Sequence, residues 1–483
     1  MWRCQFAALR HLLFSYGRDG IYADSDAWQC HLMTQPVMLP LWAFILIVLF
    51  AAVTFASHFL FPSVRWFFRR RAERLIAQLN TKLERPIEPF KLARRYDMIQ
   101  RLLYDPSITQ AIVDHAREHD VPENVAFEKA QSYAREIVPS FSATAYFTFG
   151  MRIAKWLSRM LYRVRLGYFD RDALQSLDKD ATVIFVMNHR SNMDYVLVTY
   201  LISRASALSY AVGEWARVWP LSGIIRAMGA YFIRRRSRTG LYRKVLARYV
   251  QLATNGGVTQ AMFPEGGLSL NGAVGNPKLG LLNYIIDSYE AGGRDVIFVP
   301  VALNYDQVLE DRFLIKAGKG GNRRFRPPAW TVFSSVGIYF WRRLTGQFKG
   351  FGTASVAFGK PLYLSTFPAN SDLTGEVGQE LMARIRAVVP VLAAPLVARA
   401  IAVDGARTRS AIEESVGAML LELKEKRMPL PKRDVIAIVE ETLNRFKLRN
   451  LVVSDGGDVR IVGDGGDVLD YYANSIGHHF RPK

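Results

Sequence analysis

The sequence predicts an α/β fold, a mixed sheet with flanking helices, and three observations carry that reading. From about Val183 onward short apolar runs recur: "TVIFVM", "ALSYAV", "GAYFI", "VTQAMF", "VIFVPVAL" and "ASVAF". Longer segments of helical period separate them, such as "TGLYRKVLARYVQLAT", with Leu241, Val245, Leu246, Tyr249 and Val250 on one face. Several of the runs stop at polar or Gly-rich turns, which is how strands end when helices pack over a sheet. Pro300 inside one run predicts a bulge or an edge strand there.

Around that centre the 483 residues divide further. Residues 1–36 form a tail holding both cysteines, Cys4 and Cys30, and lack a signal-peptide layout; Met33 and Met38 are alternative starts. With no other cysteine, neither a disulfide framework nor a cysteine nucleophile is expected. From Ala27 to Val64 there is no Asp, Glu, Lys or Arg. Its apolar heart, residues 37–61, would span about 37 Å as a helix, against about 30 Å of hydrocarbon. Arg65, Arg69, Arg70, Arg71 and Arg74 follow at once. The expectation is a single transmembrane helix with the large C-terminal part on the cytoplasmic face, as in a bacterial inner membrane.

Residues 86–165 read as a helical domain and 166–368 as the α/β domain. Within the latter, "RPPAWTVFSSVGIYFWRRLTGQFKG" (326–350) reads as an interfacial segment or a plain core helix. Residues 376–483 read as a helical region with a small hairpin. There Ser410 and Glu413 have capping-box spacing, and Asp-Gly-Gly-Asp-Val occurs twice, nine residues apart, as turns around that hairpin. Lys and Arg outnumber Asp and Glu by 63 to 43, a net charge of +20, which calls for an anionic partner. No nucleic-acid module and no zinc-ligand spacing appears, so anionic lipid or a phosphorylated substrate is expected.

Chemistry concentrates in "VIFVMNHRSNMDYVLV", Val183 to Val198. His189 is followed five places on by Asp194, a spacing that chance supplies for roughly one histidine in twenty. Eight histidines are present, and His115 with Asp120 repeats the spacing. Five residues apart on one helix point about 140° away from each other. With the strand ending at Asn188, however, Asp194 falls in the next helix's first turn and can fold back onto the imidazole, leaving the other ring nitrogen as a general base. His115 lacks that strand–turn–helix setting. Further on, "GAYFIRRRSRTG" gathers Arg234, Arg235, Arg236 and Arg238, suited to a phosphate. "QAMFPEGGLSLNG" puts Glu265 in a turn whose glycines admit a ligand close to the backbone.

In order and spacing, "NHRSNMD", "GAYFIRR", "FPEGG" and "VIFVPVALNYDQVLED" resemble the four blocks of the glycerol-3-phosphate and dihydroxyacetone-phosphate acyltransferases, of the phospholipid/glycerol acyltransferase superfamily. "NPKLGLLNYIID" and "LDYYANSIGHHF" look like the same subfamily, so the similarity runs from about residue 90 to the C-terminus. The resemblance implies an acyltransferase-type sheet and a role for each matching residue. His189 would take the proton from the glycerol hydroxyl and Asp194 would orient it. Arg234 and Arg235 would hold the phosphate, with Gly229, Phe232 and Ile233 shaping that site. Phe263, Pro264, Glu265, Gly266 and Gly267 would complete the acceptor pocket, with Pro300 near the acyl donor.

The sequence departs from the family at Leu268 and Leu270, where close relatives carry basic residues. Arg236, Arg238 or Lys278 are candidates to replace that charge. The resemblance implies acyl transfer from acyl-CoA or acyl carrier protein to glycerol 3-phosphate in phospholipid biosynthesis, with no metal and no cofactor beyond the acyl donor. Lysophosphatidate or another phosphorylated or lipid alcohol is the alternative acceptor. An idle membrane-binding relative of the fold is the non-enzymatic one.

Overall fold

The computed structural model describes residues 39–81, 83–169, 171–202, 206–213, 221–234, 239–289, 293–320, 341, 345, 350–368, 372–455 and 457–480, without the side chains of 57–69, 72, 75, 169, 171 and 221. Both cysteines, Arg235, Arg236, Arg238 and nearly all of the segment 326–350 therefore lie outside the described residues. The chain divides into two compact units, 1–72 and 73–483. One helix, α1 (Leu41–Asn80), carries the apolar stretch, with Leu41, Trp42 and Phe50 exposed. Among the described residues no helix is long and apolar enough to cross a membrane. The expected span at 37–61 starts before the described residues and ends among side chains outside them.

The second unit opens with helices. These are α2 (Arg95–Leu103), α3 (Pro106–Glu118), α4 (Glu123–Ile137) and α5 (Met151–Leu161). Asp105 caps α3 by accepting from Ser107 N at 3.1 Å, and Pro106 follows at the first helical position. The sheet then begins with β1 (Arg163–Phe169) and β2 (Thr182–Met187), and continues through α6 (Met193–Ile202), β3 (Ser209–Gly213), α7 (Leu221–Ala227) and β4 (Tyr231–Ile233). After it come α8 (Gly240–Asn255), β5 (Gln260–Met262), α9 (Gly280–Ile286), β6 (Val296–Tyr305), α10 (Asp311–Lys319), β7 (Thr353–Phe358) and β8 (Leu362–Tyr363).

The strand order is β1-β7-β6-β2-β5-β3-β4, with β8 added beside β6. From β6 to β4 every pairing is parallel, whereas β7 and β8 run antiparallel to β6. The architecture is therefore mixed α/β with a parallel-dominated sheet and flanking helices. All five residues expected on one face of α8 are buried, and they share a core with Ile108, Ile112, Ala130 and Ile137 of α3 and α4. The opening helices thus use their apolar faces to cover the sheet's own helix.

β1 was not expected: the sequence places a domain boundary at 165–166, inside it. "RVRLGYF" alternates Arg163 and Arg165 with partly exposed apolar residues. It is an edge strand paired only with β7, so it lacks the continuous apolar run that marks its buried neighbours.

Pro300 corrects a second expectation, since β6 is a central strand that continues through it. On one side β6 pairs with β8 at Ile297 and Phe298 and with β7 from Val301 onward. Pro300 falls in the gap between them, where its carbonyl accepts from Gly359 N at 2.8 Å. A residue's N–H and C=O point to the same side of a strand, so the missing donor faces that gap and removes no ladder bond.

The C-terminal region comprises α11 (Leu373–Ala387), α12 (Ala393–Ala402), α13 (Arg409–Glu425), α14 (Val435–Leu448), the hairpin β9 (Val452–Asp455) with β10 (Asp458–Ile461), and α15 (Gly465–Asn474). Thr408, not Ser410, caps α13, accepting from Ala411 N at 3.2 Å. Only the first Asp-Gly-Gly-Asp-Val is the hairpin's turn. The second starts α15, with Asp464 at its N-cap and Gly465 close against the Leu451 carbonyl.

Candidate active site

Where β2 ends, Asn188 lets the backbone leave the sheet without losing its pairing. Its side chain donates to the Leu303 carbonyl at 3.0 Å and accepts from Leu303 N at 2.7 Å, as a strand residue would. The turn that follows winds around one carboxylate. Asp194, in the first turn of α6, accepts on Oδ2 from Arg190 N (2.7 Å), Ser191 N (3.0 Å) and His189 Nδ1 (2.9 Å). Tyr305 donates its hydroxyl to Oδ1 at 2.5 Å. Burial and the adjacent Asp194 push the Tyr305 phenol well above its usual range, so it stays a donor.

Asp194 is fully buried and His189 is 1% exposed. Because a carboxylate only accepts, the imidazole proton sits on Nδ1 and Nε2 keeps its lone pair. The ring stacks on Phe263 at 4.0 Å between centroids, and Tyr195 meets both rings edge-on. Two aromatic contacts and one charged hydrogen bond leave the imidazole a single orientation.

The turn after β5 braces the same backbone. Glu265 accepts from His189 N at 3.0 Å with one oxygen and from Gly275 N at 3.0 Å with the other. Ser269 N donates to the His189 carbonyl at 2.8 Å. Burial pushes the Glu265 carboxyl up, opposed by those two backbone bonds. Gly266, at φ +65, turns the chain beneath Lys278.

Glu310 is a functional candidate that the sequence reading missed. It accepts from Ser191 Oγ (2.8 Å), Asn192 N (3.2 Å) and Asn192 Nδ2 (3.0 Å), and burial raises its pKa. Its only signal was position, a carboxylate closing the fourth block "VIFVPVALNYDQVLED".

His189 opens on a cavity of about 800 Å³. Glu265, Gly266, Gly267, Leu268, Leu270 and Lys278 wall one side, and Lys319 of α10 with Asp467, Asp470 and Tyr471 of α15 wall another. The C-terminal helix is held there by contacts of its own. Asn474 donates to the Asn271 carbonyl at 3.1 Å, Lys319 pairs with Asp467 at 2.5 Å, and Tyr472 donates to Asp311 at 2.6 Å. Arg190, 1% exposed, lies over the Tyr471 ring at 4.8 Å and donates to the Gly272 carbonyl.

The structure brings together His189, Asp194, Phe263, Pro264, Glu265, Gly266 and Gly267. Among the described residues, none of the second block lines this cavity. Arg234 is turned toward α4, where Nε and Nη2 fork onto the buried Glu136 at 3.0 and 2.5 Å between the rings of Tyr133 and Tyr242. That bond to Glu136, more than any other contact, raises its pKa. Phe232 is fully buried in β4, Ile233 packs in the core, and Gly229 adopts φ +87 close to the Leu208 carbonyl. Pro300 is likewise a sheet residue, packed against Gly359. Arg235 lies outside the described residues. Topology still places the ends of β2, β5 and β4 at one edge of the sheet, where parallel α/β folds bind ligands.

Known proteins resemble parts of this chain. Residues 169–304 match the family model "Acyltransferase". The chain is 28% identical over 448 residues to the glycerol-3-phosphate acyltransferase of Pseudoalteromonas atlantica, covering 86% of this chain and 52% of that protein. It is 29% identical over 305 residues to the glycerol-3-phosphate acyltransferase of Alteromonas mediterranea, covering 61% and 36%. The 1-acyl-sn-glycerophosphate acyltransferase structure from Thermotoga maritima aligns at 20% identity and a TM-score of 0.31, covering 50% of this chain and 76% of that one. The chain spans about half the length of the curated relatives it matches. The segment that contains His189, Asp194 and Glu265 therefore matches the acyltransferase family model, and most of the chain is similar to part of the glycerol-3-phosphate acyltransferases.

Proposed function

We propose that the chain transfers a fatty acyl group from a thioester, acyl-CoA or acyl carrier protein, to the hydroxyl of glycerol 3-phosphate, as the names of its relatives imply. The observation that carries this reading is the His189–Asp194 hydrogen bond at the wall of a cavity, with Nε2 left to act. Nε2 takes the hydroxyl proton as the oxygen attacks the thioester carbonyl. The tetrahedral intermediate collapses, the C–S bond breaks, and the imidazolium returns its proton to the departing thiolate. Asp194 holds the tautomer and stabilises the transient imidazolium. Base and thioester suffice for this sequence, so it calls on no cofactor beyond the acyl donor.

Leu268 and Leu270 on the cavity wall favour a second acceptor, lysophosphatidate, whose chain an apolar wall would accommodate. Both leucines pack against the core, which accounts for their tolerance here in place of charged residues. The proposal includes a membrane setting: residues 37–61 anchor the chain, the catalytic part faces the cytoplasm, and the basic surface meets anionic lipid. In its support stand the exposed apolar side chains at the start of α1 and the net charge of +20.

Acyl transfer by membranes containing the chain, offered labelled glycerol 3-phosphate, dihydroxyacetone phosphate and lysophosphatidate with each donor type, tests the reading. Labelled lysophosphatidate formed from glycerol 3-phosphate is the expected product. Robust acylation of lysophosphatidate alone would promote the second reading.

A further inference from the structure

We propose that His115, Glu118 and His119, at the C-terminal end of α3, form a binding site for one divalent transition-metal ion of the zinc, nickel or copper class, remote from the acyl-transfer cavity. The sequence reading found no zinc-ligand spacing and treated His115 only as half of an unproductive pair with Asp120. The helix supplies a different grouping. Residues at i, i+3 and i+4 lie on one face, and one ligand atom from each of these three lies within 4.8 Å of the others. The two imidazole centroids are 4.0 Å apart, tilted by 41°.

A second observation points to a ligand. His115 is 3% exposed, and its Nδ1 has no hydrogen-bond partner among the described residues. A buried polar atom left unpaired is unfavourable, and coordination of the ring supplies the missing interaction. His119 has the orientation common to ligating histidines, with Nδ1 held 3.2 Å from the His115 carbonyl, a backbone contact that fixes the ring. The last turn of α3 adds the negative end of its peptide dipoles, which favours a cation.

Two imidazoles and one carboxylate are the donor set of a borderline-soft ion and a poor one for magnesium or calcium, which require more oxygens. With three protein ligands a fourth position stays open to water. Such an ion would fasten the corner between α3 and α4, where Asp120 turns the chain at φ +49.

The test uses the full-length, tag-free chain, stripped with a chelator and titrated with Zn²⁺ against a chromophoric competitor. One equivalent should bind. His119→Ala, at an exposed position, should weaken binding at least tenfold, and Glu118→Gln severalfold. His478→Ala, His479→Ala, Cys4→Ser and Cys30→Ser should leave it unchanged. His115→Ala should abolish binding, with circular dichroism to check that the helix persists. If His119→Ala binds Zn²⁺ as tightly as the parent, if the ion follows His478 and His479 instead, or if no equivalent binds, the site does not exist.

Discussion

Two histidines in this chain are each followed five residues later by an aspartate, and only one pair closes. His115 lies inside α3 while Asp120 lies past its end, in a left-handed turn at φ +49. His189 lies between a strand and a helix, and the backbone reverses around it until Asp194 Oδ2 meets Nδ1 at 2.9 Å. A helix holds such a pair on different faces, whereas a tight turn wraps one residue around the other. The difference teaches that Asp194 is less a partner reached by one histidine than the centre of a turn. Two backbone N–H groups and a tyrosine hydroxyl bind it besides the imidazole.

The largest effect separates the pairs directly. His189→Ala should lower acyl transfer by roughly two to four orders of magnitude while the chain still folds. His115→Ala should leave the rate within about twofold, because its ring touches no part of the cavity. Steady-state kinetics on both purified variants, with circular dichroism to verify folding, decides the matter. Equal damage from the two would break the comparison.

Asp194→Asn comes next and sharpens the claim about the turn. The amide offers one accepting oxygen where four donors converge, and its NH₂ opposes one of them. A loss of roughly two to four orders of magnitude in kcat is expected, by analogy with amides at triad aspartates. About 1–3 kcal/mol of stability should go with it, for the buried donor left unpaired. Asp120→Asn should do neither, since asparagine tolerates the left-handed region as well as aspartate does. Urea unfolding and initial rates on both proteins measure it.

The sequence disclosed one part of this site and concealed another for a physical reason. Asn188, His189 and Asp194 were legible because strand, turn and helix are local, and their signals lie within seven residues. Glu265 was legible as a turn residue, but not its task, since nothing local says that it will accept from the His189 backbone 76 residues away. Glu310 was invisible for the same reason at 119 residues. Arg234 was legible as one of a run of arginines after a strand, but not its contact, since nothing local says that its guanidinium will fork onto the buried Glu136, 98 residues earlier. Pro300 misled because the rule against proline in central strands assumes an unbroken partner, and β6 has a gap beside it. Long-range carboxylates decided most of what pattern alone could not.

That lesson makes Glu310 a third way to test the turn. Glu310→Gln should lower kcat roughly tenfold, since one accepting oxygen must replace two for Ser191 and Asn192. Its pH dependence is the more specific readout. Burial raises the Glu310 pKa above the usual carboxylate range. A carboxyl whose folded pKa is raised contributes stability that is full below its unfolded pKa and lost as pH rises through the folded one. The stability difference between parent and variant should therefore shift against the parent as pH rises from acid toward neutral. Rates should move the other way: protonating Glu310 removes acceptors the turn requires, so the parent's acid limb should lie above the ordinary carboxylate range. In Glu310→Gln that limb should move down.

The smallest expected effect concerns the corner that did not close. Asp120 holds φ +49, a conformation that costs a typical non-glycine residue about 1 kcal/mol and costs aspartate less. Asp120→Gly removes that strain but gives the unfolded chain more freedom to lose, a term of about 0.4–1 kcal/mol in the other direction. The two nearly cancel, so the midpoint of urea unfolding should move by no more than about 0.5 kcal/mol equivalent, and acyl transfer should be unaltered. Asp194→Gly, at the same place in the other pair, should abolish activity. If Asp120→Gly also cost activity, the corner after α3 would be coupled to the cavity, and the contrast between the two pairs would no longer rest on the turn alone.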